Sequence, residues 1–119
     1  MNLKNEKELF KELRERSCKD ITKQLKIPYD GVRYFSYDIS YKNKLIEYNG
    51  DFWHSNPLLY EENFVNPISK RSAKYIWKND ARKRDVALSN GYELLVIWES
   101  DYNDNPEKEI QKCLEFLNE

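Results

Sequence analysis

One stretch of the chain, YDISYKNKLIEYNGDFWH at residues 37–54, carries its most regular strand pattern and its only histidine. Residues 35–41 alternate between two sides, which is the period of a β-strand. Residues 42–44 are polar and include an asparagine, which tolerates turn conformations. A second strand follows at residues 45–49. The stretch therefore predicts a β-hairpin whose second strand leads directly to His54.

Two carboxylates share one face of this predicted hairpin. A turn at residues 43–44 would pair Asp38 with Asn49, whereas a turn at residues 42–43 would pair it with Glu47. Either register leaves all three side chains on one face, because side chains alternate along both strands. Facing carboxylates repel unless a cation lies between them, and hard oxygen ligands suit Mg²⁺ or Mn²⁺. The pattern predicts a metal site at Asp38 and Glu47, although two acids on a solvated sheet face would show the same spacing.

The rest of the chain predicts helices around the hairpin and one further strand. The predicted helices span residues 5–16, a short segment from a Ser17–Asp20 capping box to about residue 25 or 27, residues 69–90 and residues 106–117. The apolar run at residues 92–98 is typical of a central strand covered on both faces. A strand, a crossover helix and a strand imply parallel pairing. The fold class is therefore α/β, with a small mixed sheet between helices.

The long predicted helix presents two different faces. Its inward stripe includes Asp80, and a buried acid needs a partner. That partner is either Arg84, one turn further along the helix, or His54 of the hairpin. The outward face is basic and includes Lys70, Lys74, Lys78 and Lys83. Such a stripe is typical of a solvated helix, but beside a metal site it would grip phosphates.

Three segments together resemble a known group of nucleases. IEYNGDFWH at residues 46–54, ND at residues 79–80 and GYELLVIWE at residues 91–99 resemble the very-short-patch-repair (Vsr-type) endonucleases. They are still more similar to the EDxHD homing endonucleases of phages, and both groups belong to the PD-(D/E)xK superfamily. The resemblance covers residues 34–101. It implies a PD-(D/E)xK core and a metal-dependent DNA endonuclease that leaves a 5′-phosphate and a 3′-hydroxyl.

The resemblance also implies roles for individual residues. Asp38 and Glu47 would hold Mg²⁺ or Mn²⁺. His54 would be the general base or would orient the attacking water, and Asp80 would fix its tautomer. An acid of the first helix would reach the metal site; Glu6 matches best because it shares the inward face of Leu9, and Glu8 and Glu12 are rivals.

Further residues are expected to contact DNA. Besides the four lysines of the basic face, they are Asn49, which stands where many members of the superfamily have a lysine, and Trp53. The segment after Trp53 and His54 often carries zinc ligands in Vsr-type enzymes. Here it reads SNPLLY with no cysteine nearby, so we do not expect a structural zinc.

Length and composition limit the remaining possibilities. A chain of 119 residues with 34% charged and 14% aromatic residues predicts a single domain, residues 1–119, and argues against disorder. Cys18 and Cys113 form no disulfide framework, which predicts free thiols and a reducing compartment. The resemblance to bacterial and phage nucleases implies the cytoplasm of a bacterial or phage-infected cell. No apolar run reaches membrane length. A net charge of −1 does not by itself indicate a nucleic-acid partner.

Two other functions fit the same pattern. The chain is alternatively a DNA-binding module that kept the nuclease fold without catalysis, or a ribonuclease using the same site. One small domain leaves little room for sequence reading, so a homodimer or a partner that supplies specificity is a further expectation.

Overall fold

A computed structural model describes residues 3–119 of the chain. Within those residues the elements are α1 (Leu3–Ser17), β1 (Thr22–Pro28), β2 (Tyr34–Tyr41), β3 (Lys44–Asn49), α2 (Ala73–Ser89), β4 (Glu93–Trp98), α3 (Glu99–Asp104) and α4 (Pro106–Leu117). The strands form one mixed sheet in the order β1-β2-β3-β4, in which only β3 and β4 run parallel. The predicted α/β class and the parallel pairing across α2 are confirmed. Along the described part of the chain, no helix combines the length and the apolar character needed to cross a membrane.

Each face of the sheet carries its own apolar core, because neighbouring residues of β3 point to opposite sides. On one side Ile46 packs with Leu9 of α1 and with apolar residues of α3 and α4. On the other side Leu45 packs with Tyr37 of β2 and Ala87 of α2. Helices therefore cover both faces of the sheet, as the sequence predicts.

The hairpin adopts one of the two predicted registers. Tyr41 lies opposite Lys44, so residues 42–43 form the turn. This is the register that sets Asp38 level with Glu47. The sequence does not decide between the two turns, because both of them keep the apolar residues of the second strand on the same faces of the sheet.

The regular alternation of β2 breaks at Asp38. Ile39 belongs to the core under α1, whereas Tyr37 belongs to the core under α2, although residues two apart in a regular strand face the same way. Opposite Asp38 on β1, Gln24 has a φ of 56°, in the left-handed region. The backbone pairing of β2 with β3 ends at Ile39 opposite Ile46. Asp38 therefore sits at a distortion where the sheet begins to open.

The predicted second helix is wrong, because its residues form β1. The Ser17 side chain accepts the backbone N–H of Lys19 at 3.1 Å, which closes a tight turn instead of capping a helix. Leu25 and Ile27 stand two residues apart and pack into the core on the α2 side. Their period of two is the strand signal that the apparent capping box obscured.

Two other predictions about the crossover unit need correction. Helix α2 begins at Ala73 with Ser72 as its cap, since the Ser72 side chain accepts the backbone N–H of Tyr75. Lys70 therefore lies before the helix and not on it. Among the described residues β4 is an edge strand and not a central one. At the other end of the chain, α4 begins as predicted, with the Asn105 side chain accepting a backbone N–H of its first turn.

Candidate active site

Two carboxylates replace backbone hydrogen bonds at the point where β2 and β3 stop pairing. The backbone N–H of Asp38 donates to Glu47 Oε1 at 2.8 Å. The backbone N–H of Tyr48 donates to Asp38 Oδ2, also at 2.8 Å. Each acid is thus held by the opposite strand, and the structure brings together the two residues that the sequence predicts as metal ligands.

The prediction that Asp38 and Glu47 open on one face is wrong. Glu47 lines a cavity on the α2 side of the sheet, together with Asp80. Asp38 lines a small cleft on the α1 side, together with Glu6 and Phe10. The physical reason is the distortion at Asp38, which breaks the alternation on which the prediction rested. The two acids form a group that can be reached from both faces of the sheet.

Glu6 is the acid of α1 that reaches this group. Its partial burial, followed by the negative charges of Asp38 and Glu47, raises its pKa to about 7. The two rival acids are engaged elsewhere. Glu8 accepts the hydroxyl of Tyr102 at 2.6 Å, and Glu12 lies 3.8 Å from an arginine of its own helix.

Lys83 lies beside Glu47 and not on the outer basic face. Its Nζ is 2.6 Å from Glu47 Oε2, and the two side chains are only 20% and 7% exposed. Burial, followed by the charge of Asp38, raises the pKa of Glu47, and the ammonium of Lys83 opposes that rise. The sequence carries a signal for this position, because Asp80, Lys83 and Ala87 follow the spacing of one helix face. The neighbouring Arg84 is exposed.

Replacing Lys83 with methionine is expected to destabilise the fold by about 3 kcal/mol at pH 7, because it leaves the buried Glu47 carboxylate without its cation. The pKa of Glu47 in the folded protein then rises further above its ordinary value of 4.5. The penalty should therefore be absent below about pH 4.5 and grow as the pH rises toward the folded pKa. Denaturant unfolding at pH 4 and pH 7 measures the difference. Lys78→Met, an exposed change on the same helix, is the matched control; equal losses for both variants would contradict the assignment.

His54 and Asp80 form a pair. His54 Nδ1 lies 3.0 Å from Asp80 Oδ2, and the two side chains are 28% and 29% exposed. Of the two partners considered for Asp80, the structure selects His54. An Nδ1–H that donates to the carboxylate leaves the other ring nitrogen, Nε2, free to accept a proton. The His54 ring also meets Trp98 edge-to-face, with centroids 6.4 Å apart, at the carboxyl end of β4.

The residues expected to contact DNA lie in different environments. Lys74 and Lys78 are exposed on α2, and Lys70 is exposed before it. Trp53 is half-buried against Phe52, at a centroid distance of 5.2 Å. Asn49 is only 6% exposed and lines the cavity on the α2 side, so it does not lie on an outer surface that a duplex would touch.

Within residues 3–119, no three His, Cys, Asp or Glu side chains stand in an arrangement ready to hold a metal ion. The acids that the structure does bring together are Glu6, Asp38 and Glu47. Both oxygens of Glu47 already accept hydrogen bonds, one from the backbone of Asp38 and one from Lys83. Cys18 and Cys113 are both free, as predicted.

Comparisons of this chain with models of known families, with curated proteins and with solved structures found no match.

Proposed function

We propose that this chain is a metal-dependent DNA endonuclease built on a PD-(D/E)xK core. The observation that supports it best is the meeting of Glu6, Asp38 and Glu47 at an opening in the sheet. Asp80, which pairs with His54, lines the same α2-side cavity as Glu47. The mixed sheet, with α2 linking the parallel strands β3 and β4, agrees with the proposed core.

The donor set has the carboxylate chemistry that a hard divalent cation prefers. The carboxyl groups of Glu6, Asp38 and Glu47 lie close enough for their charges to interact. A cation relieves the repulsion between like charges at such a partly buried site. We assign Asp38 and Glu47 as ligands of Mg²⁺ or Mn²⁺, with Glu6 beside them. A divalent ion bound there would supply charge neutralisation at the scissile phosphate.

The chain's own residues supply the remaining chemistry. In the proposed reaction His54 takes a proton from the attacking water through Nε2, while Asp80 holds the ring in the tautomer that leaves this nitrogen free. Lys83 gives the site a fixed positive charge that Asn49, at the position of the superfamily lysine, cannot carry. The ammonium reaches the acids from α2 instead of from β3.

The proposal is tested by incubating the protein with supercoiled plasmid in Mg²⁺, in Mn²⁺ and in EDTA. Nicked or linear plasmid in the metal samples alone is the expected result. Binding without cleavage in either metal would favour the non-catalytic DNA-binding module. Cleavage of a duplex RNA under conditions that leave the plasmid intact would favour the ribonuclease.

The exposed lysines of α2 are expected to give DNA binding its salt dependence. Replacing Lys74 and Lys78 with alanine should lower the slope of log Kd against log salt by about 2, since each lost phosphate contact keeps one counterion on the DNA. Fluorescence anisotropy at several salt concentrations measures it. Lys108→Ala together with Lys112→Ala, on α4, is the matched control. An unchanged slope for the α2 variant would place the DNA on another surface.

A further inference from the structure

One part of the sheet is only two strands wide. The backbone of β2 pairs with β3 at residues 39–41, so residues 34–37 have β1 as their sole strand partner within residues 3–119. We call residues 24–28 of β1 and 34–38 of β2 the ribbon. On its outer edge β1 carries Pro28 and the exposed Lys23 and Lys26, and such residues discourage pairing with a further strand. The ribbon therefore keeps the width of two strands.

The two faces of the ribbon differ in character. The face that packs against α2 is apolar and carries Leu25, Ile27, Phe35 and Tyr37. Side chains alternate along a strand, so the residues between these point the other way. This second face, which we call the open face, carries Gln24, Lys26, Pro28, Tyr34 and Ser36, all of them exposed except the half-buried Ser36. One face thus anchors the ribbon and leaves the other available to a partner.

The open face presents an ordered cation beside an exposed ring. Lys26 Nζ lies 5.0 Å from the centroid of Tyr34, and Tyr34 is 52% exposed. Within the described residues Lys26 forms no ion pair with a carboxylate. Contact with the aromatic ring positions the ammonium without neutralising it. The open face therefore complements a partner that offers electronegative acceptor atoms.

Hydrogen bonds connect the open face to the candidate metal site. The Ser36 hydroxyl donates to Gln24 Oε1 at 2.6 Å, and Gln24 Nε2 donates to Asp38 Oδ1 at 3.4 Å. The φ of 56° at Gln24 lies in the left-handed region, where residues other than glycine are strained. Strained residues of this kind cluster at functional sites. Asp38 thus stands at the base of the ribbon, joined to the face that points to solvent.

The dimensions of the ribbon match those of B-form DNA. The major groove is about 12 Å wide and admits a two-stranded β-ribbon. A strand rises about 3.3 Å per residue, and base pairs are spaced about 3.4 Å apart. Lys26 pairs with Ser36, two residues from Asp38, and Tyr34 lies four residues from Asp38. Along a groove these side chains would stand about two and about four base pairs from Asp38.

We propose that the open face of the ribbon reads the sequence of duplex DNA from the major groove, beside the bond that is cut. The choice of DNA and the place of the cut rest on the proposed function. Lys26 donates to O6 and N7 of a guanine, and the ring of Tyr34 contacts the methyl group of a thymine about two base pairs further along. The chain itself then supplies sequence preference, which a domain of this size was expected to obtain from a dimer or a partner.

The test is a binding selection from a library of DNA duplexes whose central base pairs are randomised. It is carried out in EDTA, so that no cleavage intervenes, and the bound duplexes are sequenced. Guanine is expected to be enriched at least about tenfold at one position, with thymine enriched about two base pairs away. Bound duplexes without any enriched position would overturn the proposal, and so would a failure to bind the library.

Two variants locate the preference on the open face. Lys26→Met, which keeps the length of the side chain, should remove the guanine preference, and Tyr34→Ala should remove the thymine preference. The matched controls are Lys108→Met, at an exposed lysine of α4, and Tyr75→Ala, whose tyrosine is 49% exposed. Both controls should select the same sequence as the unchanged protein. Circular dichroism checks that each variant folds. Preferences that survive both Lys26→Met and Tyr34→Ala would overturn the assignment to this face.

A competitor distinguishes docking in the groove from general attraction to phosphates. The major groove of A-form RNA is too deep and narrow for side chains to read, so duplex RNA should compete at least about tenfold less well than the selected DNA. Equal competition by the two duplexes would overturn docking in the groove.

The outcomes also separate this inference from the proposed nuclease activity. Sequence enrichment without cleavage in any metal would overturn the nuclease and leave the reading face standing. Cleavage of plasmid without sequence enrichment would overturn the reading face alone. Where both are found, the cut in the selected duplex is expected about two base pairs from the guanine. A cut more than one helical turn away would overturn the placement of the ribbon beside the cut.

Discussion

Asp38→Asn is expected to lower the rate of plasmid cleavage in Mg²⁺ by about a thousandfold. The amide keeps an oxygen for the backbone N–H of Tyr48 but loses the negative charge that we assign to metal binding. A thousandfold loss corresponds to about 4 kcal/mol in the activation barrier, which is the scale on which a bound metal ion acts. The change should leave the strand pairing intact, so the loss would be in chemistry and not in folding. Single-turnover cleavage with enzyme in excess measures the rate directly.

Two further variants make this prediction selective. Asp104→Asn, at an exposed acid at the end of α3, should cleave like the unchanged protein. Asp38→Ala should combine the catalytic loss with a loss of stability of about 1–3 kcal/mol, since it leaves a buried backbone N–H unpaired. Full activity of Asp38→Asn at saturating Mg²⁺ would remove this residue from the metal site.

His54→Ala is expected to reduce cleavage by about a hundredfold to ten-thousandfold while DNA binding persists, because a positioned general base contributes on that scale. Asp80→Asn keeps the size of the side chain but favours the wrong tautomer of the imidazole, so it should cost about ten- to a hundredfold. The double variant should be no slower than His54→Ala alone, since residues that act as one unit are non-additive. Single-turnover rates of the four proteins complete the cycle.

Asp85→Asn, an exposed acid on the same helix, is the control for a general effect of neutralising α2. It should leave the rate unchanged. A double variant whose loss equals the product of the two single losses would mean that His54 and Asp80 act independently. Their contact at 3.0 Å would then serve structure and not catalysis.

Much of the fold follows from periodicity in the sequence. The two hairpin strands, the apolar run of β4 and the inward stripe of α4 all have the lengths and spacings of the elements that form. The end signals are equally local, since Asn105 and Pro106 mark the start of α4 and Gly91, with φ 86°, follows the end of α2. Such features depend on neighbours within a few residues, and a sequence displays those neighbours directly.

The site was predictable only in part, because its geometry depends on partners distant in sequence. Joining His54 to Asp80 followed from the need of a buried acid for a partner, but Arg84 met that need equally well. The face of Asp38 could not be foreseen, since its strand is distorted opposite Gln24 and no pattern within the hairpin announces that. Lys83 was assigned outward because its helix carries lysines on several sides, and only packing against Glu47 decides between them.

The edge position of β4 could not be predicted from the sequence for a similar reason. An apolar run indicates that the side chains of a strand are buried. It does not show whether another strand pairs with its backbone. Here the side chains of Leu95 and Val96 are partly buried by the helices on the two faces, while no further strand pairs with β4 among the described residues. The sequence pattern therefore predicts burial of the two faces of β4 but does not predict whether β4 lies at the edge of the sheet.

The hydrogen bonds that join Asp38 and Glu47 to the opposite strand have a consequence for how this protein can change over evolutionary time. An acid whose only role is catalytic can be replaced without harm to the scaffold. Here the carboxylates of Asp38 and Glu47 each accept a backbone N–H of the opposite strand, and replacing either with an apolar residue leaves a partly buried N–H without that partner. Selection for a folded chain thus protects the candidate site even in lineages that no longer need its chemistry. In such lineages Asn and Gln, which keep the hydrogen bonds, are the replacements expected at these two positions.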